Sequence, residues 1–303
     1  MTGKYDILVS TPRVTFHLSV KRNITILTGD SATGKTSLIH SLSNALNDKG
    51  AAESVSCDKQ CVVINQILPN LGDYLKSLKD CIVFMDEDIS FMLTREFAEI
   101  VKHSDCYFVL VTREPLCDLP YSMYEIYEFH TTGKTSEHAR SVYTRAFSLL
   151  KHNTSSSDIT PDFILTEDSN SGYDFFSSLV QDSDTSEGAP AVVSYLKKHV
   201  MPDRQVLVCL DSAAFGAYAI DLLDFLKANH NVKVYTPESF EWVLLKSGLF
   251  DNEVISTLEA NPSVKAILDA PYDYAVSSKF FSWERFFEHC LRVAASHQKY
   301  KYL

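Results

Sequence analysis

GDSATGKT, Gly29 to Thr36, follows the strand-like run NITILT (residues 23–28) and leads directly into SLIHSLSNALN (residues 37–47). It satisfies the pattern G-x-x-x-x-G-K-[ST] at every fixed position, between a strand and a helix, the context that separates a phosphate loop from a chance match. Gly29 and Gly34 allow the turn in which successive backbone N–H groups of Asp30, Ser31, Ala32 and Thr33 face phosphate oxygens. The helix that starts near Lys35 adds the positive end of its dipole. Lys35 is expected to reach the β and γ phosphates of ATP, with Ser37 in the same loop-to-helix segment, and the Thr36 hydroxyl to ligate Mg²⁺. A second GKT, at Gly133 to Thr135, lacks the first glycine because Glu128 stands in its place, so it reads as a decoy.

Outward from the loop, strand and helix alternate through the first 130 residues. YDILVS (5–10) and RVTFHLSV (13–20) read as a pair of strands, and residues 35–47 as a helix with Leu38, Ile39, Leu42, Ala45 and Leu46 on its apolar face. CVVIN (61–65), CIVFMD (81–86) and CYFVLVT (106–112) are continuous apolar runs, the mark of strands buried on both faces. Together they predict a parallel α/β sheet over residues 1–130, with MYEIYEFH as a closing strand. Residues 131–160 turn polar and read as a connecting segment, with SVYTRAFSLL a short element inside it. From 161 to 303 a second α/β unit begins: FILTED, VLVCLD and VKVYT as strands, helices between them, and a helical C-terminal part.

The carboxylates sit where such sheets place ligands, at strand ends. In CIVFMDED, Asp86 is the expected Mg²⁺ ligand, and Glu87 the general base that polarises the attacking water, a role a kinase does not need. Asp88 reads as a helix N-cap ahead of ISFMLTREF. Thr112 and Arg113 end the next strand, and Gln66 follows CVVIN. In the second half Glu167 and Asp168 end one strand and Asp211 another; Glu167 and Asp211 are the candidate ligands of a further Mg²⁺, with Glu238 and Glu241 as possible additions, while helix capping is the plainer role for Asp168 and Asp211. In FFSWERFFEHC, Phe280, Trp283, Phe287 and Cys290 read as one packing face.

The extra strand CVVIN and the pair Asp86-Glu87 resemble the additional-strand, catalytic-glutamate division of P-loop NTPases, which includes the ABC, RecA-like and AAA+ ATPases. The resemblance covers residues 5–130 and implies Mg-dependent ATP hydrolysis, with Thr112 sensing the γ phosphate and Gln66 orienting water. Paired strands before the loop are ABC-like, but no LSGGQ-like signature follows. The strand-end acids Glu167 and Asp211 resemble the TOPRIM domain, and the order ATPase then TOPRIM resembles the ATPase-nucleases of the overcoming-lysogeny-defect type, which implies a nucleic-acid or phage-defence setting. Asp211 is followed by Ser212 and Ala213, so the D-x-D of that domain is incomplete. The alternative is a nucleotide-gated scaffold whose C-terminal half recruits a protein partner without cutting anything. A homo-oligomer or a protein partner is expected in either case.

Charge and composition narrow these readings. The chain of 303 residues carries a net charge of −11. Residues 1–150 hold 15 Lys+Arg against 18 Asp+Glu, and the remainder 13 against 21. An acidic second half does not support charge-driven nucleic-acid binding, which works through Lys and Arg neutralising phosphates. Apolar runs such as YFVLV are too short to span a bilayer, so no membrane partner is expected. MTGKYDILVS lacks the features of a signal peptide, and the seven cysteines read as reduced, which together predict a cytoplasmic protein. Cys57 and Cys61, without a second ligand pair, make a poor zinc site.

Overall fold

A computed structural model describes residues 1–29, 34–48, 52–132, 142–150, 160–199 and 202–296. The chain is α/β and divides into two compact units, one of residues 1–152 with 269–281, the other of residues 153–268 with 282–303.

In the first unit the strands are β1 (Tyr5–Ser10), β2 (Val14–Val20), β3 (Ile24–Leu27), β4 (Ser54–Ser56), β5 (Gln60–Ile64), β6 (Cys81–Met85), β7 (Tyr107–Val111), β8 (Ile126–Thr132) and β9 (Val142–Ser148). Helices α1 (Lys35–Asn47), α2 (Leu71–Ser77) and α3 (Arg95–His103) connect them. They form one sheet in the order β4-β1-β2-β9-β8-β3-β7-β6-β5. Strands β8, β3, β7, β6 and β5 are mutually parallel, as the apolar runs predict. The remaining strands mix both directions: β1 runs antiparallel to β2 and β4, while β9 runs antiparallel to β8 and parallel to β2, so the sheet is mixed. The element expected inside a connecting segment is thus β9, a strand of the first sheet.

Every residue of β3, β6 and β7 is buried, because both faces are covered. On one face Leu38, Ile39 and Leu42 of α1 join Leu27, Phe84 and Val109 in a single buried apolar cluster. Each large side chain so buried contributes about 2 kcal/mol of transfer free energy. Helix α3, capped by Thr94 accepting the Phe97 N–H at 3.2 Å, buries Phe97, Ala98, Ile100 and Val101. Thr94 therefore performs the capping expected of Asp88, which is exposed in the turn before it.

The sheet cannot be flat. Strands β4 and β5 are its two edges, yet only Cys57, Asp58 and Lys59 lie between Ser56 and Gln60. Nine flat strands would put those edges about 38 Å apart at ~4.8 Å per spacing, whereas four residue steps reach at most ~14 Å. The sheet therefore curls until its edges nearly meet. Contacts across the curl agree: the Lys59 ammonium lies 5.7 Å from the Tyr5 ring centroid, Tyr5 meets Tyr107 edge to face at 6.1 Å, and the Tyr107 hydroxyl donates to the Gly3 carbonyl at 3.2 Å.

Residues 269–281 return to this first unit. The Asn23 amide, at the start of β3, donates to the carbonyls of Ser277 and Phe280 at 3.2 and 2.9 Å, and the Gly3 N–H donates to Tyr272 at 2.7 Å. Beside Asn23, buried Glu125 receives Arg22 at 3.2 Å and the Tyr127 hydroxyl at 3.1 Å.

The second unit holds a fully parallel sheet, β11-β10-β12-β13, from β10 (Phe163–Thr166), β11 (Ser183–Thr185), β12 (Val206–Cys209) and β13 (Val232–Tyr235). Helices α4 (Ser171–Ser177), α5 (Val192–His199), α6 (Ala219–Ala228), α7 (Phe240–Leu245), α8 (Val264–Asp269) and α9 (Trp283–Ser296) complete the chain. The apolar face of α9 is Trp283, Phe286, Phe287, Cys290 and Ala294. Phe280 does not belong to it, since it lies before the helix in the segment that returns to the first unit.

Candidate functional site

In the first unit, β3 is where the strand order reverses: the chain runs out through β5 and β6, comes back as β7 on one side of β3, and places β8 on the other. Such a reversal opens a crevice at the carboxyl ends of the strands. The phosphate-loop sequence leaves β3 at that point. Gly29 and Gly34 have φ of 113° and 98°, left-handed values that favour glycine. A Cβ on Gly34 would also press to 3.2 Å from the Phe16 ring. Lys35 is buried, and its ammonium folds back to donate to the Gly29 carbonyl. Thr36 and Ser37 are exposed in the first turn of α1. Asp30, Ser31, Ala32 and Thr33 lie outside the described residues, as does the decoy at 133–135.

The other strand-end groups stand on the same edge. Thr112 N–H donates to the Leu27 carbonyl at 3.2 Å, pinning the end of β7 to that of β3, and Asp86 N–H donates to Ile64 at 3.1 Å, pinning β6 to β5. Strand β6 is two positions from β3, about 10 Å in the sheet. Asp86 is buried, with its carboxylate accepting the Glu87 N–H at 2.8 Å, and Glu87 is partly exposed with the Arg113 guanidinium at 3.6 Å. Thr112 is buried, but its hydroxyl is engaged locally, donating to the Glu114 carbonyl at 3.1 Å and accepting the Glu114 N–H at 3.0 Å. Gln66 is exposed in the loop after β5.

One neighbour of the loop went unread. The Glu128 side chain, on β8, lies 3.4 Å from where a Cβ on Gly29 would be. The sequence singles it out only as the residue that breaks the second GKT pattern; its place beside Gly29 comes from the β3–β8 pairing.

In the second unit the order again reverses, between β10 and β12, and these two strands carry the acids. Glu167 N–H donates to the Cys209 carbonyl at 3.1 Å, and Asp211 N–H donates to the Glu167 carboxylate at 3.1 Å. The pair is therefore in direct contact. Burial, followed by the charge of Glu167, pushes Asp211 up to about 8, and burial pushes Glu167 up to about 7. Asp168 is also raised, first by burial, against the opposing effect of nearby backbone N–H groups at Asn170 and Tyr173. Glu284 on α9 is raised by burial, and its charge acts on both Glu167 and Asp211. Glu241 adds to the field at Asp211.

Four acids thus crowd one switch point, and Glu284 is the one missed, because it stands 73 positions after Asp211 on a helix that reads as packing. The buried Ser212 hydroxyl beside them has no hydrogen-bond partner. Among the described residues, no group of three or more His, Cys, Asp or Glu side chains is arranged to hold a metal ion as it stands. No helix among them is long and apolar enough to cross a membrane.

The chain matches no protein-family model, no curated protein and no solved structure.

Proposed function

We propose that the first unit binds and hydrolyses Mg-ATP and that the second is a TOPRIM-like effector governed by it. The observation that carries this reading is the loop at the switch point of β3, with two positive-φ glycines and a buried lysine folded onto its first carbonyl. A lysine in that position can swing from a carbonyl to a phosphate without exposing its stem. The residues fit the ligand: Lys35 and the amides after Gly29 would hold the phosphates, and Thr36 and Asp86 the Mg²⁺. Mg²⁺ supplies charge neutralisation of the phosphate oxygens. Glu87, free of burial on one side and oriented by Arg113, accepts the proton of the attacking water at its carboxylate.

Glu167 and Asp211 are the proposed ligands of a second divalent cation, which would relieve the repulsion among Glu167, Asp168, Asp211 and Glu284. The scaffold reading is favoured by a different observation: the Glu167 carboxylate already accepts the Asp211 backbone N–H. Nucleotide titration tests the first proposal. With Mg-ATP the intact chain should bind one nucleotide, and Lys35→Ala should lose that binding; unchanged affinity in the variant removes the loop from the account.

A further inference from the structure

Away from the strand ends that carry the proposed nucleotide site, the first unit gathers four of its cysteines. Cys57 opens the bridge between the two edges of the curled sheet and Cys61 is the second residue of β5, while Cys81 starts β6 and Cys106 immediately precedes β7. The two pairs differ in access. The Cys81 and Cys106 sulfurs touch at 3.5 Å but each residue is about 1% exposed. Cys61 is buried, while Cys57, the first of the three bridge residues, is only partly so.

Both sulfurs of the outer pair close on one residue. The Lys59 N–H donates to the Cys57 sulfur at 3.5 Å, and the Cys61 thiol lies 3.8 Å from the Lys59 carbonyl. The two sulfurs thus lie against the backbone N–H and carbonyl of a single residue, four positions apart in a short chain reversal, and the two thiols interact. The Lys59 ammonium is turned away, paired with Asp80 at 2.6 Å.

We propose that Cys57 and Cys61 are a redox-reactive dithiol, in which a hydroperoxide oxidises Cys57 and Cys61 resolves the product into an intrachain disulfide. The Cys57 sulfur attacks a peroxide oxygen; the S–O bond forms, the O–O bond breaks, and the alcohol or water leaves, so that sulfur is oxidised to the sulfenic acid as the peroxide is reduced. The Cys61 sulfur then attacks the Cys57 sulfur, an S–S bond forms, and the hydroxyl leaves with the Cys61 proton as water. Donation from the Cys61 thiol, with the Lys59 N–H adding to it against the opposing effect of burial, holds the Cys57 thiol below the ordinary cysteine range. The same donation raises Cys61, which keeps its proton until Cys57 has been oxidised. The disulfide would close a covalent ring across the bridge from β4 to β5 and so fix the curl of the sheet.

Exposed Cys117 provides the internal control, since it is more accessible than Cys57. The intact chain is treated with stoichiometric hydrogen peroxide at neutral pH, alkylated and mapped by mass spectrometry. A Cys57–Cys61 crosslink that dithiothreitol reverses is expected, with Cys57 consumed at least about five-fold faster than Cys117. In Cys61→Ser, oxidation should stop at a Cys57 sulfenic acid that dimedone traps. Cys57 remaining a thiol in the wild type, or Cys117 reacting as fast, overturns the proposal.

Discussion

The two units solve the end of a parallel strand in opposite ways. At the edge of the first sheet, acids and bases come together: Asp86 and Glu87 end β6, Arg113 reaches Glu87, and Lys35 sits on the loop of β3. At the edge of the second, Glu167 and Asp211 meet Asp168, Glu241 and Glu284, all of one sign. A site that carries its own cations is ready for an anion. A site where acids outnumber the neighbouring cation, Arg285, favours a proton on its carboxylates. The same backbone device therefore carries two different charge environments, and the difference is set by which side chains the flanking elements deliver.

Three changes would break or sharpen that contrast. The largest effect is expected from Lys35→Ala, which should abolish the response of the chain to Mg-ATP while leaving untouched any stabilisation that Mg²⁺ or Mn²⁺ gives without nucleotide. Next, Asp211→Asn should preserve ATP hydrolysis and remove most of the nucleotide-independent thermal shift with Mn²⁺. If that shift is identical with and without Asp211, the cation site falls and the scaffold reading gains.

The smallest effect is in pH. Glu167 and Asp211 have folded values of about 7 and about 8, above the ordinary carboxylate range, so between about pH 4 and pH 8 the folded state binds more protons than the unfolded one. The stability they contribute is therefore fully present near pH 4 and is lost as pH rises through their folded values. The second unit should melt several degrees lower at about pH 8.5 than at about pH 5.5 without metal, and Asp211→Asn should flatten the slope. A melting point that rises over this range would contradict the crowding.

What could be read along the chain was local. The glycines and lysine of the loop, the apolar runs of β6 and β7 and the acids after β6, β10 and β12 each announce themselves within a few residues. The curl of the first sheet did not, because it depends on β4 and β5 being opposite edges joined by three residues. Glu284 and Glu128 stayed hidden for the same reason: each reaches its site by tertiary packing rather than by spacing. Thr112 shows the converse, a position correctly placed at the strand end whose hydroxyl is taken by Glu114. Phe280 shared a helical spacing with Trp283, yet the clamp at Asn23 draws it out of the helix.

Phosphate release from Mg-ATP by the intact chain, compared with Glu87→Gln, tests the account most directly. The wild type should turn over without any added acceptor, and the variant should bind Mg-ATP with similar affinity while hydrolysing it about 10²-fold more slowly, as expected when a general base is removed. Equal turnover in the two proteins would assign Glu87 to its contact with Arg113 alone, and no phosphate release from the wild type would contradict hydrolysis by this unit.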